Sequence, residues 1–277
     1  MTKRPGEPSS LDPAGLQDGM VTVSAVVIAR NEEGHIAACL ENLAWADERL
    51  VVDSGSSDAT VSLARQAGAR VEHRDWVSFP DQRNAAMRMA TGDWIFFVDA
   101  DERATPELAA EIRRVVAEAA AAAPVMYWVP RHNIIFGKVI LHTGWYPDFQ
   151  PRLFRRGFAS FDPARVVHEL LVFEGGAGHL RSPLIHFNYE SVSEFLAKQM
   201  RYADLDVQRL REEGVRPRFW APVLQPLRQF RWRFFGLQGY LDGGHGLLLS
   251  LLMTYYDFQV YSRLRRAVQA QGDSARG

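Results

Sequence analysis

Residues 94–102 read Trp94-Ile95-Phe96-Phe97-Val98-Asp99-Ala100-Asp101-Glu102: five large apolar side chains, then two aspartates one residue apart. Unbroken apolarity suits a parallel strand covered on both faces, because neither face meets water. In open α/β sheets ligands gather beyond the carboxyl ends of the strands, so Asp99 and Asp101 stand at the mouth of a site. Two hard oxygen ligands there suit a divalent cation that also grips phosphate oxygens. Aspartates also cap helices, and for this pair read alone that plainer role stays open.

Working outward, strand and helix signals alternate. Upstream, 23–29 is apolar and β-branched, 35–45 has apolar residues at helical spacing, and 50–52 is a short strand. A helix with Ser and Asp at its start covers 57–67, 70–73 is strand-like, and 81–90 suits a helix ended by Thr91-Gly92. Downstream, Thr105-Pro106 opens a helix in cap-then-proline order, predicted to run through the alanine-rich stretch to about Ala123. This alternation predicts an α/β fold with a mostly parallel, Rossmann-like central sheet and helices on both faces. After Pro124 come short strand-like pieces at 125–130, 152–154, 166–173 and 184–187, and from Ser191 the pattern is helical again. The expected organisation is a disordered tail over 1–20, an α/β domain over 21–190 and a helical extension over 191–277. Within the domain, 21–124 forms a nucleotide half and 125–190 an acceptor half.

A net charge of −1 argues against general nucleic-acid binding, which needs a basic face. Cys39 is the only cysteine, so neither a disulfide framework nor a thiolate metal cluster is expected. The first twenty residues lack the apolar segment of a signal peptide. The apolar stretch 246–256 is shorter than the roughly 20 residues a membrane span requires. A cytoplasmic location is the resulting expectation.

Polar clusters follow three strands: Arg30-Asn31-Glu32-Glu33, Asp53-Ser54-Gly55-Ser56-Ser57-Asp58, and Asp99-Ala100-Asp101-Glu102. The predicted topology brings such ends to one rim. Gly55 permits a tight turn, and Asn31 and Asp53 suit a ribose or a base edge. Each cluster singly reads equally well as a helix start, but recurrence at three strand ends favours a ligand. The chain has no GxGxxG, GxxxxGK[ST] or GxSxG motif, so phosphates would be neutralised by a metal and by side chains. Asp99 and Asp101 fit the first role, and Arg83, within Gln82-Arg83-Asn84, the second.

In this order and spacing, SAVVIARNEE (24–33), VVDSGSSDAT (51–60), QRN (82–84) and WIFFVDADE (94–102) resemble the family 2 glycosyltransferases with a GT-A fold. The resemblance covers roughly 22–125. It implies that Ala29, Arg30, Asn31 and Glu32 hold a nucleotide together with Asp53, Ser54, Gly55, Ser56 and Asp58. The set continues with Gln82, Arg83, Asn84, Asp99 and Ala100. It also implies that Asp99 and Asp101 bind Mg²⁺ or Mn²⁺ on a sugar-nucleotide diphosphate. Further on, PDFQPRLF (147–154), VHE (167–169) and GYLDGGHG (239–246) look like the bacterial branch related to lipopolysaccharide core β-glycosyltransferases. Those enzymes extend a membrane-associated glycolipid from a nucleotide-diphospho-sugar donor, here taken as UDP-linked.

Breaking an anomeric carbon–diphosphate bond builds oxocarbenium character on the sugar and negative charge on the leaving group. A divalent metal stabilises that departing charge. Direct displacement inverts the anomeric centre and needs a general base on the opposite face. Glu169 is the first candidate base, since it follows a β-type run where an acceptor would enter, and Asp148 is the second. His168 is read as a further metal ligand or an acceptor contact. The remaining histidines, His186 among them, show no metal-ligand spacing and read mostly as packing or surface residues. Arg152, Arg155 and Arg156 suit an anionic acceptor or a solvated edge equally. Arginines interleaved with aromatics over 209–235 suit a bilayer interface, and also a packed helix with its arginines in water. Two other function classes compete. A sugar-nucleotide nucleotidyltransferase would carry a Gly-rich phosphate loop where this chain has ARNEEG. A non-catalytic nucleotide-sugar binding module would not need the Asp-x-Asp pair.

Overall fold

The computed structural model describes residues 20–119, 123–163 and 171–274. The predicted tail therefore lies, Met20 apart, outside the described residues, as do Val167, His168 and Glu169.

The first half is β1 (Val23–Ala29), α1 (Ile36–Asn42), β2 (Glu48–Asp53), α2 (Thr60–Gln66), β3 (Arg70–His73), α3 (Phe79–Met89) and β4 (Trp94–Phe97). There follow β5 (Glu102–Ala104), α4 (Pro106–Ala117), β6 (Met126–Ile135), β7 (Lys138–Ile140) and β8 (Asp148–Arg155). Then come β9 (Ala159–Phe161), β10 (Leu171–Phe173), β11 (Ala177–His179) and β12 (Leu184–Tyr189). The chain closes with α5 (Val192–Glu212), α6 (Ala221–Arg231) and α7 (Gly244–Ser274).

The main sheet runs β3-β2-β1-β4-β8-β6-β12-β5, with β1 to β4 mutually parallel. β8 enters antiparallel between β4 and β6, and β12 returns parallel to β6. The sheet is thus mostly parallel, as predicted, with one reversed strand at its centre. β9 and β10 form a separate pair.

Alternate residues of β1 divide the core. Val23, Ala25 and Val27 pack with Ile36, Leu40, Leu108 and Ile112 of α1 and α4. Val26 faces the other way, with Ile95, Phe97, Ala86 and Met87, so α3 covers the opposite face. Both faces of the central strands leave water, which is why β4 is apolar at every position. A third cluster joins Ile135 and Ile140 to Phe195 of α5 and to Leu249 and Met253 of α7.

Two departures from the sequence reading have clear causes. α4 stops at Ala117, short of the predicted Ala123: Val116 is its last buried apolar residue, and Glu118 caps it. Glu102–Ala104, given no element in the sequence reading, is a short edge strand that pairs antiparallel with β12. Its partner lies some eighty residues away, so no local pattern announces it.

Candidate active site

The carboxyl ends of β1, β2 and β4 meet at one rim, and the loops after β1 and β2 are fastened to each other. Asn31 sits at φ +58, where its backbone N–H donates to Ser56 Oγ (2.9 Å) and its Oδ1 accepts from the Ser57 N–H (2.9 Å). Asp58 Oδ2 accepts from the Glu33 N–H (3.2 Å), and the Ala59 N–H donates back to Glu33 (3.0 Å). Asp53 is buried and accepts from the Gly55 and Ser56 N–H groups (3.0 and 3.1 Å) and from Ser56 Oγ. Burial alone would raise its carboxyl pKa, but these donors outweigh it and hold it below the usual range. The turn closes on Gly55 at φ +86, a conformation that a side chain would strain. Ala29 is buried and its carbonyl accepts the Ser54 N–H (2.9 Å), while Arg30 points to solvent. Asp53 thus spends its carboxylate on shaping the loop.

Asp99 to Glu102 form a tight turn, with the Glu102 N–H on the Asp99 carbonyl (2.9 Å). Ala100 is buried within it, its carbonyl accepting from Arg103 (2.7 Å). Glu102, completely buried, anchors a chain of alternating charges. Its Oε2 accepts from the Asp99 N–H (3.0 Å), and its Oε1 accepts from Arg152 Nη2 (2.6 Å) and Arg131 Nη1 (3.1 Å). Arg152 also grips Asp99 with both terminal nitrogens, and Arg131 grips Asp148 (Nη2 to Oδ2, 2.7 Å). Burial pushes the Asp99 and Asp148 carboxyls up, but the arginines prevail and hold both below the ordinary carboxylate range. Arg152, read from sequence as an acceptor contact or a solvated edge, is no solvated edge: it is buried, is committed to this internal chain, and lines the cavity beside Asp99. Arg155 stacks on Phe158, and Arg156 lines a second, separate cavity.

A cavity of about 550 Å³ opens beside Asp99, walled by Arg83, Trp128, Arg131, Gln150 and Phe161 among others, a volume within the usual range for small-molecule sites. Of the QRN triplet only Arg83 reaches it, its guanidinium lying against Phe97 and Phe161 (5.6 and 5.3 Å). Gln82 is buried on the carbonyls of Arg74 and Asp75, and Asn84 clamps Phe161 through paired bonds of 2.7 and 2.8 Å. Consecutive helical residues face different ways, so one side chain meets the cavity while its neighbours pin the helix.

Asp101 lies opposite an unforeseen partner. His186 Nε2 is 3.3 Å from Asp101 Oδ2, brought there by β12 pairing with both β5 and β6. Asn133 fixes the imidazole. Its Nδ2 donates to the Trp145 carbonyl (3.0 Å) and to Asp148 Oδ2 (3.1 Å), so its Oδ1 faces His186 Nδ1 at 2.7 Å and must accept. His186 therefore carries a proton on Nδ1, and its Nε2 faces the Asp101 carboxylate. Two ligands on adjacent corners of a six-coordinate Mg²⁺ sit about 3 Å apart, the spacing of this pair. Glu32 adds to the local negative field: burial, Asp101 and Asp99 together raise its carboxyl. Among the described residues no three such side chains enclose a cation unaided. A divalent cation held here would draw its remaining ligands from phosphates and water. Asp101 and His186 fit such a cation.

Asp148, the second candidate base, begins β8 and carries bonds from Arg131, Gln150 and Asn133. The first candidate, Glu169, and the proposed ligand His168 lie outside the described residues. Phe161 and Leu171, which lie on either side of residues 164–170 in sequence, both line the cavity.

Residues 24–166 match the profile of glycosyl transferase family 2. The lipopolysaccharide core biosynthesis glycosyltransferase LpsC of Rhizobium meliloti (strain 1021) is 31% identical over 253 residues, 86% of this chain and 92% of that protein. An uncharacterized glycosyltransferase of Rickettsia felis is 26% identical over 90% of this chain and 91% of its own length. Among solved structures, S. aureus TarS 1–349 aligns with a TM-score of 0.45 and 13% identity over 91% of this chain and 92% of that one.

Proposed function

The chain belongs to glycosyl transferase family 2 and is a glycosyltransferase, and on that premise we propose an inverting, metal-dependent transfer from a nucleoside-diphosphate sugar, UDP-linked, to a saccharide hydroxyl. The acceptor is of the lipopolysaccharide-core type, carried on lipid, a reading supported by the likeness to LpsC. The observation that carries the proposal is the convergence of Asp101 and His186 at the tip of β4, next to a cavity bearing Arg83 and Asp99.

A divalent cation held by Asp101 and His186 would offset charge on the departing diphosphate. Arg83, packed on two phenyl rings at the cavity wall, supplies a fixed positive charge for the same phosphates. The loops that carry Asn31 and Asp99 would flank the nucleoside, although the Asn31 Oδ1 is spent on Ser57 and Arg152 holds the Asp99 carboxylate. The acceptor hydroxyl attacks the anomeric carbon from the far side, the bond to the diphosphate oxygen breaks with its electron pair, and a base takes the hydroxyl proton. We assign that base to Glu169. Asp148 is the weaker choice, because Arg131 holds its carboxyl below the usual range, and a base works best with a pKa near the working pH.

The test is UDP release from UDP-sugars with Mn²⁺ and a core oligosaccharide. Chelation should abolish turnover and added Mn²⁺ restore it. Asp101→Asn and His186→Ala should each lower the rate by about 100-fold or more. Glu169→Gln should lower it by about 10²–10⁴ with donor binding intact. Turnover unaffected by Asp101→Asn would sink the metal role, and a larger loss in Asp148→Asn than in Glu169→Gln would move the base.

A further inference from the structure

α7 is apolar on two opposite sides, and the fold uses one. Leu249, Met253, Tyr256, Val260 and Leu264 are buried, the first four within the cluster that includes Phe195 of α5. Leu247, Leu248, Leu251, Tyr255 and Phe258 recur at three- and four-residue spacing on the exposed side, with Leu251 at 50% exposure. A surface helix in water carries polar residues there. α6 packs along α7, and where the pair begins, Arg265 Nη1 donates to the Phe219 carbonyl (2.8 Å). It too leaves Val223, Leu224 and Leu227 exposed, and the π-helical turn Trp232–Gly236 adds Trp232 and Phe235. Exposed apolar surface on this scale marks an interaction site.

Charge selects the partner. Residues 215–270 hold eight arginines and two aspartates, in a chain whose net charge is −1. Asp242 is buried, whereas Arg216, Arg218, Arg228, Arg231 and Arg266 are exposed. Two copies meeting through such a face would set these arginines against each other, whereas anionic headgroups complement them. No described helix is long and apolar enough to cross a membrane.

We infer that α6 and α7 dock on the surface of an anionic bilayer, apolar side chains at the acyl boundary and arginines among the phosphates. The face is tied to the catalytic rim. Asp242, between the two helices, accepts from the Leu141 and His142 N–H groups (3.3 and 3.0 Å) and from Thr143 Oγ1 (3.1 Å) in the loop leading to Asp148. Docking would therefore set the orientation of the cavity toward the lipid.

The test floats the full chain with phosphatidylcholine vesicles, with and without phosphatidylglycerol, in the absence of nucleotide and sugar. The chain should rise with the anionic vesicles only. Leu227→Glu with Leu251→Glu should abolish flotation without lowering the melting temperature. An arginine near an anionic surface is worth roughly fivefold in binding, so Arg228→Gln with Arg231→Gln should weaken it by about 30-fold. Failure to float, or equal flotation of the Leu→Glu variant, would overturn the inference. So would a dimer in sedimentation that Leu251→Glu dissociates while vesicles stay unbound, which would assign the face to a second copy. Because no substrate is present, either failure leaves the transfer reaction untouched.

Discussion

Replacing Glu102 with glutamine tests the buried charge chain at its centre. The wild-type carboxylate is fully buried and takes three donors: Arg152 and Arg131 on one oxygen, the Asp99 N–H on the other. Glutamine offers one oxygen and one NH₂, so whichever way it turns, the NH₂ meets a donor. Removing one partner from a buried ion pair costs about 3–5 kcal/mol. Here Arg152 keeps Asp99 and Arg131 keeps Asp148, which moves the charge contribution toward the lower end. The mismatched donor adds about 1 kcal/mol or more. A total of about 4 kcal/mol corresponds to roughly 10 °C in melting temperature for a chain of this size. Thermal unfolding followed by circular dichroism reads this directly, with the exposed Glu118→Gln as a control expected to shift by less than about 2 °C. Adding Arg152→Met should recover part of the loss, because the two residues share one network and their effects should not add. A Glu102→Gln protein that melts within about 2 °C of wild type would refute the view that this chain holds the site together.

Two further outcomes follow from the C-terminal helices. Burial pushes the Asp257 carboxyl up to about 6, with Asp206 adding to the shift and Arg233 opposing it. A folded pKa above the unfolded one stabilises below about pH 4, and that contribution is lost as pH rises through 6. Asp257→Asn should therefore gain about 1–2 kcal/mol at pH 7.5, allowing for solvent screening, and nothing at pH 4; equal urea midpoints at pH 7.5 would contradict this. Asp242→Ala strips the acceptor from two backbone N–H groups and Thr143, at a cost of about 3–5 kcal/mol. It should also open the 141–147 loop to limited proteolysis, and an unchanged cleavage pattern would show that other contacts hold that loop.

The half of the fold from β1 to β4 was legible because βαβ units write themselves locally: apolar runs, helical spacing, a cap and a glycine at the ends. The three polar clusters were legible for the same reason, each following its strand at once. Their division of labour was not. The resemblance sets Gln82 and Asn84 beside Arg83 as nucleotide ligands, and only the helix's rotation shows that Arg83 alone of the three faces the cavity. The second half of the site comes from β5, β6, β8 and β12, paired across the sheet from distant parts of the chain. His186 meets Asp101 because β12 registers His186 against Glu102 and Asn133, a long-range alignment that residue spacing does not encode. The reversed entry of β8, which places Arg152 beneath Asp99, was hidden likewise.

Asn133 joins two places that chemistry would otherwise leave independent. Turned by half a rotation, its amide would aim hydrogens at the Nδ1–H of His186 and a lone pair at Asp148, setting like against like at both ends. The group is self-locking, and it makes the imidazole and the carboxylate a single mechanical unit. A substitution that moves the imidazole will therefore also disturb Asp148, and changes meant to leave both in place should begin at residues that Asn133 does not touch.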